Sequence, residues 1–164
     1  MKRKILSKLI EWKNKKNRKP LIVNGARQVG KTYILKEFGS HYYEKMAYVN
    51  CDKNKTLDKI FSQDYNISRI LLSLSAILHV NIEPENTLII FDEIQENPTV
   101  LNSLKYFCED ASQYHVAVAG SLLGISLHRD TSFPVGKVDM IKMYPMTFDE
   151  FLMAIDEQPL VDVL

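Results

Sequence analysis

Lys31 and Thr32, followed some sixty residues later by Asp92 and Glu93 and then by Ser121, are residues whose types and spacing suit a reaction at a phosphate. The first two close the run Gly25-Ala26-Arg27-Gln28-Val29-Gly30-Lys31-Thr32, which satisfies G-x-x-x-x-G-K-[ST] at every fixed position. Gly25 and Gly30 permit backbone angles closed to other residues, so that successive N–H groups can turn inward round an anion. The helix that starts here and runs through Tyr33 aims its positive N-terminal end at the same charge. Lys31 is long enough to reach β- and γ-phosphates, and the Thr32 hydroxyl can complete the shell of a magnesium ion that keeps several of its waters. The later acids suit hydrolysis of a nucleoside triphosphate. Asp92 would hold the magnesium, mostly through water, while Glu93 orients and deprotonates the attacking water. Ser121 would hydrogen-bond the γ-phosphate or that water from a neighbouring strand; a plain turn serine after Gly120 is the competing reading.

These groups act together only if the chain brings them to one edge. Leu21-Ile22-Val23-Asn24 is an apolar strand feeding the loop, and Lys31 to Phe38 reads as a helix that Gly39 and Ser40 end. Tyr43 to Asn50 reads as a second strand, followed by a turn from Asn50 to Lys53. From Ile67 to Val80 the leucines and isoleucines predict a well-buried helix with His79 near its end. Thr87 to Phe91 lacks polar alternation, as a parallel strand covered on both faces does, and it delivers Asp92-Glu93. Asn97 as N-cap and Pro98 as first residue predict a helix to Asp110. Val116 to Ala119 is a fourth strand ending at Gly120-Ser121, and Val138 to Met143 a fifth. Thr147 and Glu150 have capping-box spacing at the start of a last helix, Phe148 to Ile155. This alternation predicts an α/β fold, a doubly wound parallel sheet of about five strands with its ligand sites at the strand C-terminal ends.

The 164 residues, 46% apolar and with a net charge of +1, supply one core and argue neither for nor against a polyanionic partner. The charge is uneven, however: nine Lys or Arg face one acid up to Lys19, and twelve face nineteen afterwards. This divides the chain into a basic N-terminal helical arm, 1–19, and a domain over 20–164. Within the arm, Ile5, Leu6, Leu9, Ile10 and Trp12 fall at helical spacing, which favours a helix packed on the domain with its lysines solvated over a nucleic-acid or anionic-membrane contact. No apolar run has membrane-spanning length and no secretory signal opens the chain, so a cytoplasmic location is the expectation. Cys51 and Cys108 read as ordinary reduced thiols.

The loop at Gly25–Thr32, the block Phe91-Asp92-Glu93-Ile94-Gln95, Ala119-Gly120-Ser121 and the late Tyr144-Pro145-Met146-Thr147-Phe148-Asp149-Glu150-Phe151-Leu152 resemble the AAA-type P-loop ATPases of prokaryotes, the AAA_14 family, which usually carry a C-terminal DUF4143 domain. The resemblance implies an additional-strand (ASCE) P-loop NTPase fold with Walker A and Walker B motifs. It also implies ATP and Mg2+ as ligands, and the roles given above for Lys31, Thr32, Asp92, Glu93 and Ser121. The family typically shows Gly-Arg where this chain has Gly136-Lys137, and an ammonium does not reproduce a guanidinium fork. Arg129 is the nearby arginine, and a finger role for it is the disfavoured reading. Family members also continue well past the helix beginning at Thr147, whereas this sequence stops at Leu164. The expectation is an ATPase module without its C-terminal partner, able to bind nucleotide but slow to turn it over.

A GTPase is disfavoured, since no D-x-x-G follows Asp92 and Asn54-Lys55-Thr56-Leu57 spoils the guanine-reading N-K-x-D. A small-molecule kinase would not need Glu93 beside Asp92. The non-enzymatic alternative is a nucleotide-gated nucleic-acid-binding or protein-interaction module with little intrinsic hydrolysis, in which the basic arm makes the contact. A homo-oligomer completing the site between subunits is a further expectation from the resemblance.

Overall fold

Leu21–Gly25 (β1) is buried at every position, because it lies inside a sheet with a strand on each side and helices on both faces. The computed structural model describes residues 4–121 and 134–154. In chain order the elements are α1 (Ile5–Asn14), β1, α2 (Lys31–Tyr42), β2 (Lys45–Asn50), α3 (Lys55–Gln63), α4 (Ile67–Leu78) and β3 (Thr87–Asp92). A 3-10 turn (Ile94–Glu96), α5 (Pro98–Asp110), β4 (His115–Ser121), β5 (Asp139–Lys142) and α6 (Phe148–Ala154) follow. The strands are ordered β2-β3-β4-β1-β5 and every adjacent pair is parallel. One strand, β4, therefore separates the strand that feeds the loop from the strand that ends in Asp92, which is the additional-strand α/β arrangement of P-loop NTPases.

Alternate residues of each strand enter alternate cores, as a two-residue repeat dictates. Ile22, Val49, Ile89, Phe91 and Val118 pack with α3, α4 and α5, while Leu21, Val23, Leu88, Ile90 and Ala119 pack with α1 and α2. Ile5, Leu9 and Trp12 of α1 are buried in that second core, and the Trp12 indole N–H donates to the Lys19 carbonyl at 2.8 Å. The capping box at α6 forms as expected: Glu150 Oε2 accepts from Thr147 N–H at 3.0 Å and Thr147 Oγ1 accepts from Glu150 N–H at 3.4 Å. Glu150 Oε1 also accepts from Lys4 N–H at 2.9 Å, tying the first helix to the last.

Several expectations need correction. Gly39 and Ser40 do not end α2, which continues to Tyr42; a Cβ on Gly39 would lie 2.7 Å from Met46 Sδ, so the glycine serves close packing of α2 on the sheet. The second strand starts at Lys45, because Tyr43 caps α2. α4 is only half buried, with Leu72 73% exposed, and ends at Leu78 with His79 as a left-handed cap at φ 54°. α3 was not expected. Its N-cap is Asn54, whose side chain accepts from Leu57 N–H, and it buries Leu57, Ile60 and Phe61.

His115, at the start of β4, is 3% exposed and shares a 2.6 Å hydrogen bond between Nδ1 and the Tyr43 hydroxyl. Burial, reinforced by the cations Arg18 and Lys13, lowers its pKa from 6.5 to about 4. The unfolded chain therefore binds a proton that the folded chain refuses as pH falls below 6.5. Stability is full above that value and is lost towards pH 4, by roughly 3 kcal/mol from this group. Urea midpoints at pH 7.5 and 4.5 should fall less for His115→Asn than for the native chain.

Candidate functional site

The loop between β1 and α2 is shaped by two left-handed residues, Gln28 at φ 63° and Gly30 at φ 96°. Gly30 is thus needed for its backbone angle, as the sequence suggests. Gly25 is not: a Cβ there would lie 2.4 Å from the Met143 carbonyl oxygen, so that glycine admits the segment after β5, whose Met143 N–H donates to the Asn24 carbonyl at 2.7 Å. Val29 packs inward beneath the loop, whereas Tyr33 is half exposed at the rim. No side chain caps the N-terminus of α2 and its first turn holds no acid, so its N–H groups and its positive end remain suited to an anion.

Lys31 Nζ donates to the Gly25 and Ala26 carbonyls, at 3.0 and 2.6 Å, and is thereby folded over the loop. Burial lowers its pKa, Arg27 adds to that, and Glu93 and Asp92 oppose it. Thr32 Oγ1 donates to Asp92 Oδ2 at 2.7 Å, joining residues sixty positions apart. Asp92 is 5% exposed and accepts two further bonds, from the Tyr48 hydroxyl to Oδ2 at 2.6 Å and from Glu93 N–H to Oδ1 at 2.9 Å. Burial and the Asp92 carboxylate raise the Tyr48 pKa, so the phenol stays a donor.

Glu93 is itself left-handed, at φ 52°, a conformation that costs a side-chain-bearing residue about 1 kcal/mol or more. The 3-10 turn holds it there through Glu96 N–H, which donates to the Glu93 carbonyl at 3.0 Å. The Glu93 side chain lines a cleft of about 590 Å³ together with Arg27, Gln28, Gly30, Lys31, Thr32, Tyr33 and Ser121. Asn50, Asp52 and Glu96 complete its wall. A second cavity, of about 580 Å³ between α4 and the end of α5, is lined by none of Lys31, Thr32, Asp92, Glu93 and Ser121. Ser121 lies opposite Gly25 in the β4–β1 register, and its N–H donates to Gln95 Oε1 at 3.3 Å.

The structure thus gathers the loop, Asp92, Glu93 and Ser121 at the C-terminal ends of β1, β3 and β4. It adds two residues that sequence reasoning missed, Tyr48 on β2 and Gln95 in the 3-10 turn. Lys137 does not line the cleft but pairs with Glu109 at 3.3 Å, and Arg129 lies outside the described residues. A buried carboxylate bridged to a loop threonine fits magnesium by its donor set, hard oxygens with room for waters.

Comparison with known proteins agrees with this geometry. A family model described as "AAA domain" (AAA_14) matches residues 17–152. Among solved structures, the Walker-type ATPase paby2304 of Pyrococcus abyssi superposes with a TM-score of 0.59 at 15% identity, covering 99% of this chain and 63% of its own. Cdc6p from Pyrobaculum aerophilum does so with a TM-score of 0.50 at 12% identity, covering 89% of this chain and 43% of its own. No curated protein matches the sequence. The chain therefore spans less than two thirds of either structural relative, and at these identities the likeness shows the fold. Among the described residues no helix is long and apolar enough to cross a membrane.

Proposed function

The chain belongs to the AAA_14 family of AAA domains, and from that membership and the cleft we propose that it binds ATP with magnesium and hydrolyses it. The observation that carries the reading is the 2.7 Å bond between Thr32 and Asp92, which fixes the phosphate loop against the strand end that presents Glu93 to the same cleft. In this reading the loop N–H groups hold the phosphates, and Lys31 exchanges two neutral carbonyls for phosphate oxygens, which are stronger, charged acceptors. Thr32 and Asp92 would hold the magnesium, which when bound would supply neutralisation of phosphate charge. Glu93 orients a water and takes its proton, while Ser121 reaches the γ-phosphate from β4. The assay is ATP binding and phosphate release by the purified chain with magnesium. Release well above the uncatalysed rate supports the reading, and absence of ATP binding sinks it.

The alternative, a nucleic-acid-binding arm, is less well supported by the contacts of its cations. Lys13 donates to the Tyr42 carbonyl, Lys15 pairs with Asp139 at 3.0 Å, and Arg18 donates to the Lys13 and Ser112 carbonyls. Those contacts explain the arm as part of the domain.

Tyr48 gives a further check on the magnesium assignment. Its hydroxyl donates to the same Asp92 oxygen, Oδ2, that accepts from Thr32, as an outer partner of a ligand does, and such partners are worth about 10-fold or more in metal affinity. Tyr48→Phe should raise the magnesium concentration needed for half-maximal turnover by about 10-fold. A magnesium titration at saturating ATP reads it; an unchanged midpoint would remove Tyr48 from the site.

A further inference from the structure

β3 and β4 run side by side from Leu88 opposite His115 to Phe91 opposite Val118, and there they part. Asp92 stays with β2, opposite Asn50, and its carbonyl accepts from Cys51 N–H at 2.9 Å. Ala119, Gly120 and Ser121 stay with β1, opposite Val23, Asn24 and Gly25. The sheet is therefore forked at its C-terminal edge, with the phosphate loop on one prong and Asp92-Glu93 on the other. Gln95 crosses the fork. Its amide N–H donates to Glu93 Oε2 at 2.5 Å, and its Oε1 accepts from Ser121 N–H at 3.3 Å. The residue is 8% exposed, and its backbone is held in the 3-10 turn by Glu96 N–H to the Glu93 carbonyl and Asn97 N–H to the Ile94 carbonyl.

We propose that Gln95 is a positioning residue that sets the aim of the Glu93 carboxylate by referring it to the end of β4; this rests on the hydrolase reading above. A glutamate side chain turns about three torsions, and no strand pairing joins the two prongs at the level of Glu93. The Gln95 amide supplies the missing reference, because one planar group donates to the carboxylate and accepts from β4. Ser121 borders the same cleft, so a γ-phosphate engaging the end of β4 bears on the carboxylate through this tie. Neither methionine, which offers no amide, nor glutamate, which accepts but cannot donate when ionised, restores both bonds.

The test compares ATP affinity and single-turnover hydrolysis in the native chain, Gln95→Met, Gln95→Glu, Glu93→Gln and the double variant Gln95→Met/Glu93→Gln. Both Gln95 variants should keep the ATP Kd within about twofold while hydrolysis falls roughly 10- to 100-fold, the scale of a misplaced catalytic group. The Gln95→Met loss should vanish when Glu93 is already glutamine, since a residue acting through that carboxylate has nothing left to aim. A loss that persists in full in the double variant, an unchanged rate in both single variants, or equal losses of ATP binding and rate would each overturn the inference. If the native chain binds ATP without turning it over, the hydrolase reading fails and takes the inference with it. Native turnover with additive effects overturns the inference alone.

Discussion

Lys31→Ala should abolish ATP binding at concentrations that saturate the native chain, raising the Kd by about 100-fold or more. The ammonium is a full positive charge folded over the loop, held by the Gly25 and Ala26 carbonyls and partly desolvated. Exchanging those carbonyls for phosphate oxygens makes two charge-assisted hydrogen bonds, each worth about 1.5–3 kcal/mol. Losing roughly 3 kcal/mol of that corresponds to about 100-fold in Kd. The fold should survive, because the protein loses only two hydrogen bonds to loop carbonyls, one of them exposed. Thermal midpoints of the two chains are the control, and isothermal titration with ATP and magnesium is the measurement. An affinity within a few-fold of native would mean that the α2 N-terminus and loop N–H groups carry the binding, and that the lysine assignment is wrong.

The residues of that prediction were legible in the sequence because each follows a strand whose apolar run announces it. Leu21-Ile22-Val23 ahead of Gly25, and Leu88-Ile89-Ile90-Phe91 ahead of Asp92, are buried at every position, as unalternating strands in a parallel sheet should be. Asn97 and the Thr147–Glu150 box announced their helices by local chemistry alone, and both form. The misses share a different cause. Gly25 and Gly39 looked like residues chosen for backbone angles, but each is fixed by a partner distant in sequence, Met143 and Met46 respectively. Tyr48 sits in the middle of a strand, where an aromatic reads as core. Its bond to Asp92 exists only because β2 is the neighbour of β3, a strand order that the sequence does not state. Gln95 carried a weak signal, an amide two residues after Glu93. Its meaning depends on where β3 and β4 separate, which again is a fact of tertiary pairing.

Glu93→Gln should leave ATP binding within about twofold of native and lower turnover by 100- to 10,000-fold, the usual range for removal of a general base. Glutamine keeps the length of the side chain and offers Gln95 Nε2 a carbonyl oxygen in place of the carboxylate, so geometry is preserved and only the proton acceptor is lost. Phosphate release under single-turnover conditions, beside titration of ATP, separates the two effects. Equal rates for native and variant chains would assign Glu93 no part in the chemistry. The backbone gives a second, independent reading of the same position. At φ 52° a glutamate is strained where a glycine is not, so Glu93→Gly should raise stability by about 1 kcal/mol and the thermal midpoint by about 3 °C while abolishing turnover. A carboxylate kept at such a site at the expense of stability is best explained by what it does in the cleft, since the turn alone would be better served by glycine. If Glu93→Gly is less stable than native, the left-handed turn depends on the Glu93–Gln95 bond for its own cohesion, and the case for a strained functional residue falls.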